Sequence, residues 1–242
     1  MEYKNLGDTG LKVSTLCLGT MTFGDGADEN MCRKLYQMSR DKGINFFDCA
    51  NVYAEGESER ILGKITSGHR DEVILATKAF YPTGDNINDK GSSSLHLRKE
   101  LEKSLKRLNT DYIDVYYLHG FDSETPLEES LSTLNDFVRQ GKVLYLGLSN
   151  FAAWQIMKAI SITKLHNLAP IACIQPMYNL LKRQCESEIL PMAESEGLGV
   201  VTYSPLAGGL LTGKYQNNKN VSGRYNCTSS NESELTQSKV KS

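Results

Sequence analysis

The feature that most constrains this chain is a regular alternation of short apolar runs with amphipathic segments of helical length. The apolar runs span residues 16–20, 45–50, 73–78, 112–119, 144–149, 171–178 and 199–205. Most of them are apolar on both alternating faces, which is typical of buried parallel strands rather than of half-exposed antiparallel ones. Amphipathic segments lie between them at residues 28–42, 95–108, 126–139, 152–165 and 182–196. This alternation predicts a parallel α/β fold.

Local signals support the helices. Thr125 precedes Pro126, which suits a capping residue followed by proline at the first helical position. Gly43, Gly141 and Gly197 each follow a helical segment, where a left-handed residue commonly ends a helix. The segments are therefore expected to begin and end close to these residues.

Two parallel architectures compete, the open doubly wound sheet and the closed barrel. The dinucleotide-binding version of the open sheet needs G-x-G-x-x-G after its first strand. Here the first run leads into Gly-Thr-Met-Thr-Phe-Gly at residues 19–24, which does not match. We therefore predict a (β/α)8 TIM barrel, with residues 3–6 and 11–13 forming a β-hairpin ahead of the first barrel strand.

The end of the chain differs in composition from the rest. A closed barrel needs eight strands in about 250 residues, whereas seven candidate strands are present. Residues 216–242 are rich in Asn, Ser, Lys and Thr, and we expect them to be disordered. The expected organisation is an incomplete barrel over 1–215 and a polar tail over 216–242, with the last strand and helix missing. An open barrel edge would invite self-association.

Charge and composition argue against several function classes. With 27 basic and 29 acidic side chains and a formal net charge of -2, the chain shows no nucleic-acid footprint. The six cysteines form no C-x-x-C pair and the four histidines are dispersed, so we expect neither a metal site nor a disulfide framework. No apolar run is long enough to cross a bilayer, and the first residues lack the apolar core of a signal peptide. A cytoplasmic, reducing location is the expectation.

Polar residues recur at the predicted carboxyl ends of the strands, where a barrel places its active site. Asp48 and Lys78 end the second and third strands, Tyr53 lies in the loop after the second, and His119 ends the fourth. Ser149, Asn150, Gln175 and Tyr203 lie in or at the end of the later strands.

A Tyr, a Lys, an Asp and a His suit the reduction of a carbonyl group, because hydride attack leaves an alkoxide that needs a proton. A neighbouring ammonium is expected to lower the pKa of the Tyr53 hydroxyl from about 10 and make it a better donor. Asp48 would pair with Lys78, since an unpaired buried charge is costly. His119 would orient the carbonyl or relay the proton.

Each of these residues also has an ordinary structural interpretation. Asp48 and Lys78 could be a structural ion pair, Tyr53 a loop aromatic, and His119 a hydrogen-bonded strand-end histidine. The four together favour catalysis. The remaining histidines, His69, His96 and His166, are read as surface residues, and Trp154 as a packing residue.

A series of motifs in order from Glu2 to Tyr215 resembles the aldo-keto reductase family, in its bacterial, plant and potassium-channel β-subunit branch. The motifs are Leu6-Gly7-x-Thr9-Gly10-Leu11-x-Val13-Ser14, Leu18-Gly19-Thr20-Met21-Thr22-Phe23-Gly24, Phe47-Asp48-x-Ala50-x-x-Tyr53, Ala76-Thr77-Lys78, Tyr117-Leu118-His119, Gly147-Leu148-Ser149-Asn150, and the run from Tyr203-Ser204-Pro205 to Gly213-Lys214.

The resemblance implies an NADPH-dependent reductase of small carbonyl compounds in which Asp48, Tyr53, Lys78 and His119 form the catalytic tetrad. It also implies a set of cofactor-binding residues: Gly19, Thr20, Ser149, Asn150, Gln175, Tyr203, Ser204, Pro205, Leu206, Gly208, Leu211 and Lys214. Phe23 and Phe80 follow strand ends and are candidates for the substrate mouth. The family's Arg and Asn that hold the adenine nucleotide have no counterpart in this sequence, so the preference for NADP over NAD rests on the resemblance alone. The alternative is a non-catalytic or regulatory subunit of this kind, or an inactive truncated form, that binds the cofactor weakly.

Overall fold

A computed structural model describes residues 1–215 of the chain. It begins with the predicted hairpin, in which β1 (Tyr3–Asn5) pairs antiparallel with β2 (Lys12–Ser14). Seven further strands follow: β3 (Cys17–Gly19), β4 (Phe46–Asp48), β5 (Ile74–Ala79), β6 (Ile113–Leu118), β7 (Val143–Ser149), β8 (Ile171–Gln175) and β9 (Gly199–Val200). They form one parallel sheet in sequence order that curls as part of a (β/α)8 barrel. The predicted fold class is thus confirmed.

Six α-helices lie in the described range: α1 (Glu29–Asp41), α2 (Glu57–Thr66), α3 (Ser94–Leu108), α4 (Leu127–Arg139), α5 (Ala153–Leu165) and α6 (Ile189–Ser195). The sequence analysis missed α2, which is only ten residues long and follows the left-handed Gly56 without a side-chain cap. The prediction of one helix over 182–196 was too long, because a separate 3-10 turn occupies Gln184–Glu186. Thr125 does not cap α4, since its hydroxyl donates to Asp122 instead, at 2.8 Å.

The apolar core has two parts. The larger cluster fills the space between the sheet and the helices. The smaller one, which includes Phe46, Tyr117 and Cys173, has side chains from β4, β6 and β8 and from the hairpin. A methyl group on Gly147 would lie 2.4 Å from the Tyr117 ring, so glycine is needed there for close packing. Tyr117 can therefore lie next to Lys78, whose Nζ is 5.8 Å from the ring centroid.

The chain divides into two compact units. Unit 1 comprises Met1–Pro176 and Glu186–Val201 and contains all nine strands. Unit 2 comprises Met177–Cys185 and the described part of 202–242. The last apolar run, predicted over 199–205, is a strand only at Gly199–Val200, and Tyr203 instead pairs with Met177 inside unit 2. The predicted disorder of 216–242 concerns residues outside the described range.

Candidate active site

Lys78 is a fully buried cation near the carboxyl end of β5. The parallel register pairs Asp48 of β4 with Ala76, so Lys78 lies on the same face, two residues further along. Its Nζ donates to Asp48 Oδ2 at 2.5 Å and to the carbonyl oxygen of Cys49 at 2.6 Å. Burial disfavours the ammonium, but Asp48 and Tyr53 together outweigh burial, and the pKa of Lys78 is raised above its ordinary value. The side chain is therefore charged at neutral pH.

Asp48 is held from two sides. Its second oxygen, Oδ1, accepts a hydrogen bond from Gln175 Nε2 at 3.0 Å. Gln175 ends β8, so this contact links strands 127 residues apart in sequence. A buried carboxylate with both oxygens bonded is fixed in position and fixes Lys78 in turn.

Tyr53 begins the 3-10 turn Tyr53–Gly56 that follows β4. Lys78 Nζ lies 5.2 Å from the centroid of its ring. The pKa of Tyr53 is raised, because burial disfavours the phenolate and the nearby Lys78 only partly offsets this. The pKa shift of Tyr53 is opposite in direction to the one expected from the sequence. That expectation took account of the neighbouring ammonium but not of the loss of solvent around the ring. Tyr53 therefore holds its proton firmly at neutral pH.

The turn that carries Tyr53 is strained and tethered. Ala54 and Glu55 have φ values of 47° and 54°, a left-handed conformation that is unfavourable for residues with a β-carbon. Just before the turn, the Asn51 amide donates to Glu100 Oε2 of α3 at 2.9 Å, and both side chains are buried. The sequence analysis missed Asn51 and Glu100, because nothing in their spacing of 49 residues signals the contact.

His119 lies directly after β6 and is buried. Burial, with a smaller contribution from Lys78, lowers its pKa to about 3, so the imidazole is neutral at physiological pH. Its Nδ1 atom has no hydrogen-bond partner within residues 1–215. The ring lies 4.8 Å from that of Tyr81 and 6.0 Å from that of Tyr53, both measured between centroids. A neutral imidazole can orient a carbonyl group but carries no extra proton to relay.

The predicted cofactor residues of unit 1 lie at the carboxyl ends of the strands, as Asp48, Lys78 and His119 do. Ser149 Oγ donates to the carbonyl oxygen of Gln175 at 3.0 Å, and Asn150 Nδ2 lies 3.2 Å from Ser149 Oγ. Thr20 donates to the carbonyl oxygen of Asp48 through both its backbone N–H and its hydroxyl. A methyl group built on Gly19 would meet no atom within 4 Å, so there is open space at that strand end.

The other predicted cofactor residues, from Tyr203 to Lys214, belong to unit 2. Ser204, Ala207, Gly208, Gly209 and Gly213 all have positive φ. Left-handed residues interrupt the turn Ala207–Thr212. A backbone segment with such residues can direct successive N–H groups toward an anion. Their role, like that of Pro205, Leu206 and Leu211, stays a prediction.

Two sequence interpretations of aromatic residues change in the folded chain, those of Phe23 and Trp154. Phe23 is 1% exposed and packs in the core, so its ring offers no surface for a substrate. Phe80 is partly exposed and packs edge-to-face against the exposed Tyr81, with ring centroids 5.2 Å apart. Tyr81 was not among the residues predicted from the sequence. Trp154, read as a packing residue, is 62% exposed and touches the ring of Phe121. The aromatic surface near His119 thus involves Phe80 and Tyr81.

Two of the remaining histidines are not surface residues. His96 is fully buried and His69 accepts or donates a 2.7 Å hydrogen bond with the Tyr36 hydroxyl, whereas His166 is exposed as expected. No group of three or more metal-binding side chains occurs among residues 1–215. None of the helices in that same range has the length and apolar character needed to cross a membrane.

Comparison with known proteins decides the family. A family model described as "Aldo/keto reductase family" matches residues 15–241. The chain belongs to the aldo/keto reductase family. It is 46% identical over 225 residues to the uncharacterized oxidoreductase YrpG of Bacillus subtilis, covering 88% of this chain and 69% of that protein.

Plant proteins of the aldo/keto reductase family are similar as well. A probable voltage-gated potassium channel subunit beta of rice, Oryza sativa subsp. japonica, is 44% identical over 220 residues, covering 89% of this chain and 67% of the relative. Its counterpart from Arabidopsis thaliana is 42% identical with the same coverage. The family membership that the sequence motifs suggested is thus confirmed.

Proposed function

We propose that this protein reduces aldehydes or ketones to alcohols with a nicotinamide cofactor, with Tyr53 as general acid. The observation that carries the proposal is the buried pair of Lys78 and Asp48 with the partly buried Tyr53, beside a neutral His119. An isolated structural ion pair would explain Asp48 and Lys78 but not the tyrosine and histidine rings next to them.

The chain's own residues supply the proton chemistry. Tyr53 keeps its proton because burial raises its pKa, and it releases that proton only as negative charge develops on the carbonyl oxygen. The ammonium of Lys78 lies beside the ring and stabilises the phenolate that forms. Asp48 holds Lys78, and the neutral His119 positions the carbonyl oxygen.

The cofactor residues fit a nicotinamide cofactor within unit 1. When bound, this cofactor supplies the hydride. Ser149, Asn150 and Gln175 offer hydroxyl and amide groups that suit a carboxamide, and the open space at Gly19 leaves room for a flat ring beside Thr20. In unit 2 we assign ring stacking to Tyr203 and phosphate binding to Ser204, Gly208 and Lys214 from the family pattern. The preference for NADPH and a cytoplasmic location are part of the proposal.

The substrate would meet Phe80 and Tyr81. Both follow Lys78 within three residues, and Tyr81 packs against His119. Aromatic rings at this position favour carbonyl compounds with an apolar substituent. Phe23 is left out of the proposed site because it is buried.

The test is Tyr53→Phe with Tyr81→Phe as a matched control. General acids contribute about 10²–10⁴-fold to rates, so Tyr53→Phe should slow the reduction of an activated aldehyde by that range and leave NADPH affinity unchanged. Tyr81→Phe removes a hydroxyl near His119 but no proton donor, and should keep most activity. Equal rates for Tyr53→Phe and the wild type would overturn the assignment of Tyr53.

A second candidate is a non-catalytic regulatory subunit, which the names of the two plant relatives suggest. The same assays separate the two candidates. A wild-type chain that binds NADPH but does not turn over any of a panel of aldehydes and ketones would favour the regulatory subunit.

A further inference from the structure

A basic groove of about 780 Å³ lies between α2 and α3 in unit 1. Its walls are the C-terminal parts of the two helices, which lead into β5 and β6. In a barrel of this kind the carboxyl ends of the helices and the carboxyl ends of the strands lie at the two different ends of the barrel. The groove is therefore separate from the candidate active site.

Close helix packing brings the cations together. Arg60 and Lys64 are one turn apart on α2, and Lys103, Lys106 and Arg107 share one side of α3. Gly63 lies between the two helices, where an added methyl group would come 2.6 Å from the carbonyl oxygens of Arg107 and Leu108. A larger residue at position 63 would push the two rows of cations apart.

The solvent side of the groove carries five cations and no acidic side chain. The carboxylates that pair with Arg107 and Lys103 are Glu59 and Glu100, and both are buried. Lys106 has no ion pair within residues 1–215. Cations near helix ends are common because they suit the helix dipole, but that explanation does not require two helices to converge on one concave surface.

The cost of recruiting the outer cations is small. Arg60 pairs with Glu57 at 3.3 Å and Lys64 with Glu29 at 3.1 Å, and all four side chains are exposed. Exposed ion pairs contribute little to stability, so an anionic ligand can displace these two carboxylates at a small cost in free energy. Arg107 is only 14% exposed and is held by Glu59 at 2.6 Å, so one guanidinium is already fixed in place.

We propose that this groove binds a small molecule carrying two or more phosphate groups. Phosphates match clustered guanidinium and ammonium groups, and Arg binds them through paired hydrogen bonds. The volume lies within the range of small-ligand sites, about 300–1,000 Å³. The cations line one concave surface shared by two helices rather than a stripe along the surface, which favours a small anion over a nucleic acid.

The experiment is calorimetric titration of the full chain with inorganic tripolyphosphate, at constant ionic strength. The double variant Arg60→Ala/Lys106→Ala removes two exposed cations and keeps the helices, since alanine favours them. Losing an exposed charge contact weakens binding by about two- to fivefold, so the double variant should bind about tenfold more weakly. The matched control is Lys158→Ala, an exposed lysine of α5. Lys214→Ala in unit 2 is a separate variant that reports binding in the proposed cofactor loop.

Saturable binding that weakens in the double variant and not in Lys158→Ala supports the proposal, also where Lys214→Ala weakens a second site in the cofactor loop. A parallel titration with ATP distinguishes ligands: equal affinity assigns the binding to the phosphates alone, and tighter binding adds a nucleoside. The proposal is wrong if tripolyphosphate does not bind, if the double variant binds as well as wild type, or if Lys158→Ala loses as much affinity. Loss in Lys214→Ala alone would place the binding in the proposed cofactor loop and also overturn it. None of these results depends on reductase activity.

Discussion

His119 differs from a histidine in water because it is buried beside a cation. Its pKa of about 3 in the folded chain lies well below the ordinary value of about 6.5. The neutral ring is therefore ready for hydrogen bonding to a substrate across the whole physiological pH range. Burial raises the pKa of Tyr53, whereas for Lys78 burial is outweighed by Asp48 and Tyr53, which raise its pKa.

This shift in the pKa of His119 predicts a pH dependence of stability. Because the folded state resists protonation, the stability that it contributes is complete above pH 6.5 and is lost as the pH falls toward 3. The free energy of unfolding should fall by about 2 kcal/mol more in wild type than in His119→Gln between pH 7 and pH 5. Urea unfolding at the two pH values measures this difference.

The control for this measurement is His166→Gln, which alters an exposed histidine outside the site. It should leave the pH dependence of wild type unchanged. If His119→Gln and wild type lose the same free energy of unfolding on acidification, the imidazole is protonated normally in the folded chain and the interpretation of His119 fails.

At the scale of elements, the site depends on what helix α3 contributes to the turn after β4. Glu100 accepts hydrogen bonds from Asn51 on that turn and from Thr83 Oγ1 at 3.1 Å, and Lys103 pairs with it. Only the bond to Asn51 lies next to the strained turn that carries Tyr53, two residues before Tyr53 itself. The two bonds to Glu100 therefore separate a positioning role from a purely structural one.

We expect Asn51→Ala and Thr83→Val to have different effects on catalysis. Each removes one hydrogen bond to the buried Glu100 carboxylate, and such bonds are worth about 1.5–3 kcal/mol, so both should lower the free energy of unfolding. Only Asn51→Ala should also lower kcat, with KM nearly constant, because it releases the turn of Tyr53. Steady-state kinetics and denaturant unfolding of both variants decide the question. An equal loss of kcat in the two variants, or none in either, would contradict a positioning role for Asn51.

At the scale of the whole molecule, the sheet of unit 1 has two edges within the described residues. β3 pairs only with β4, and β9 only with β8. Leu16 next to β3 is 60% exposed and Val200 of β9 is 39% exposed, so both edges present apolar side chains. The edges are short, three and two residues, which limits but does not remove their tendency to pair.

We therefore expect the 242-residue polypeptide to self-associate when produced by itself. Val200→Lys places a charge on the β9 edge and should shift the molar mass measured by light scattering toward the monomer. Leu165→Lys is the matched control, since Leu165 is exposed at the end of α5 and not on an edge. A wild-type chain that is monomeric at all concentrations would show that neither edge pairs.

The amino-acid sequence by itself determined the order of strands and the barrel class, and its motifs predicted the proposed group of Asp48, Tyr53, Lys78 and His119. Those features depend on local periodicity and on motifs, and a sequence shows both directly. Helix α2 was not predicted, because it is short and starts without a side-chain cap. The prediction that Phe23 lines the substrate mouth was wrong, because residues that follow a strand can turn into the core or toward solvent.

Tertiary structure alone decided the electrostatics. The pKa of Tyr53 rises although Lys78 lies beside it, because burial disfavours the phenolate more than the ammonium favours it. The groove between α2 and α3 has the same origin, since a chain with nearly balanced charges concentrates five cations there only when two helices pack at Gly63. Burial and the distances between groups far apart in sequence set both effects, and these quantities exist only once the chain is folded.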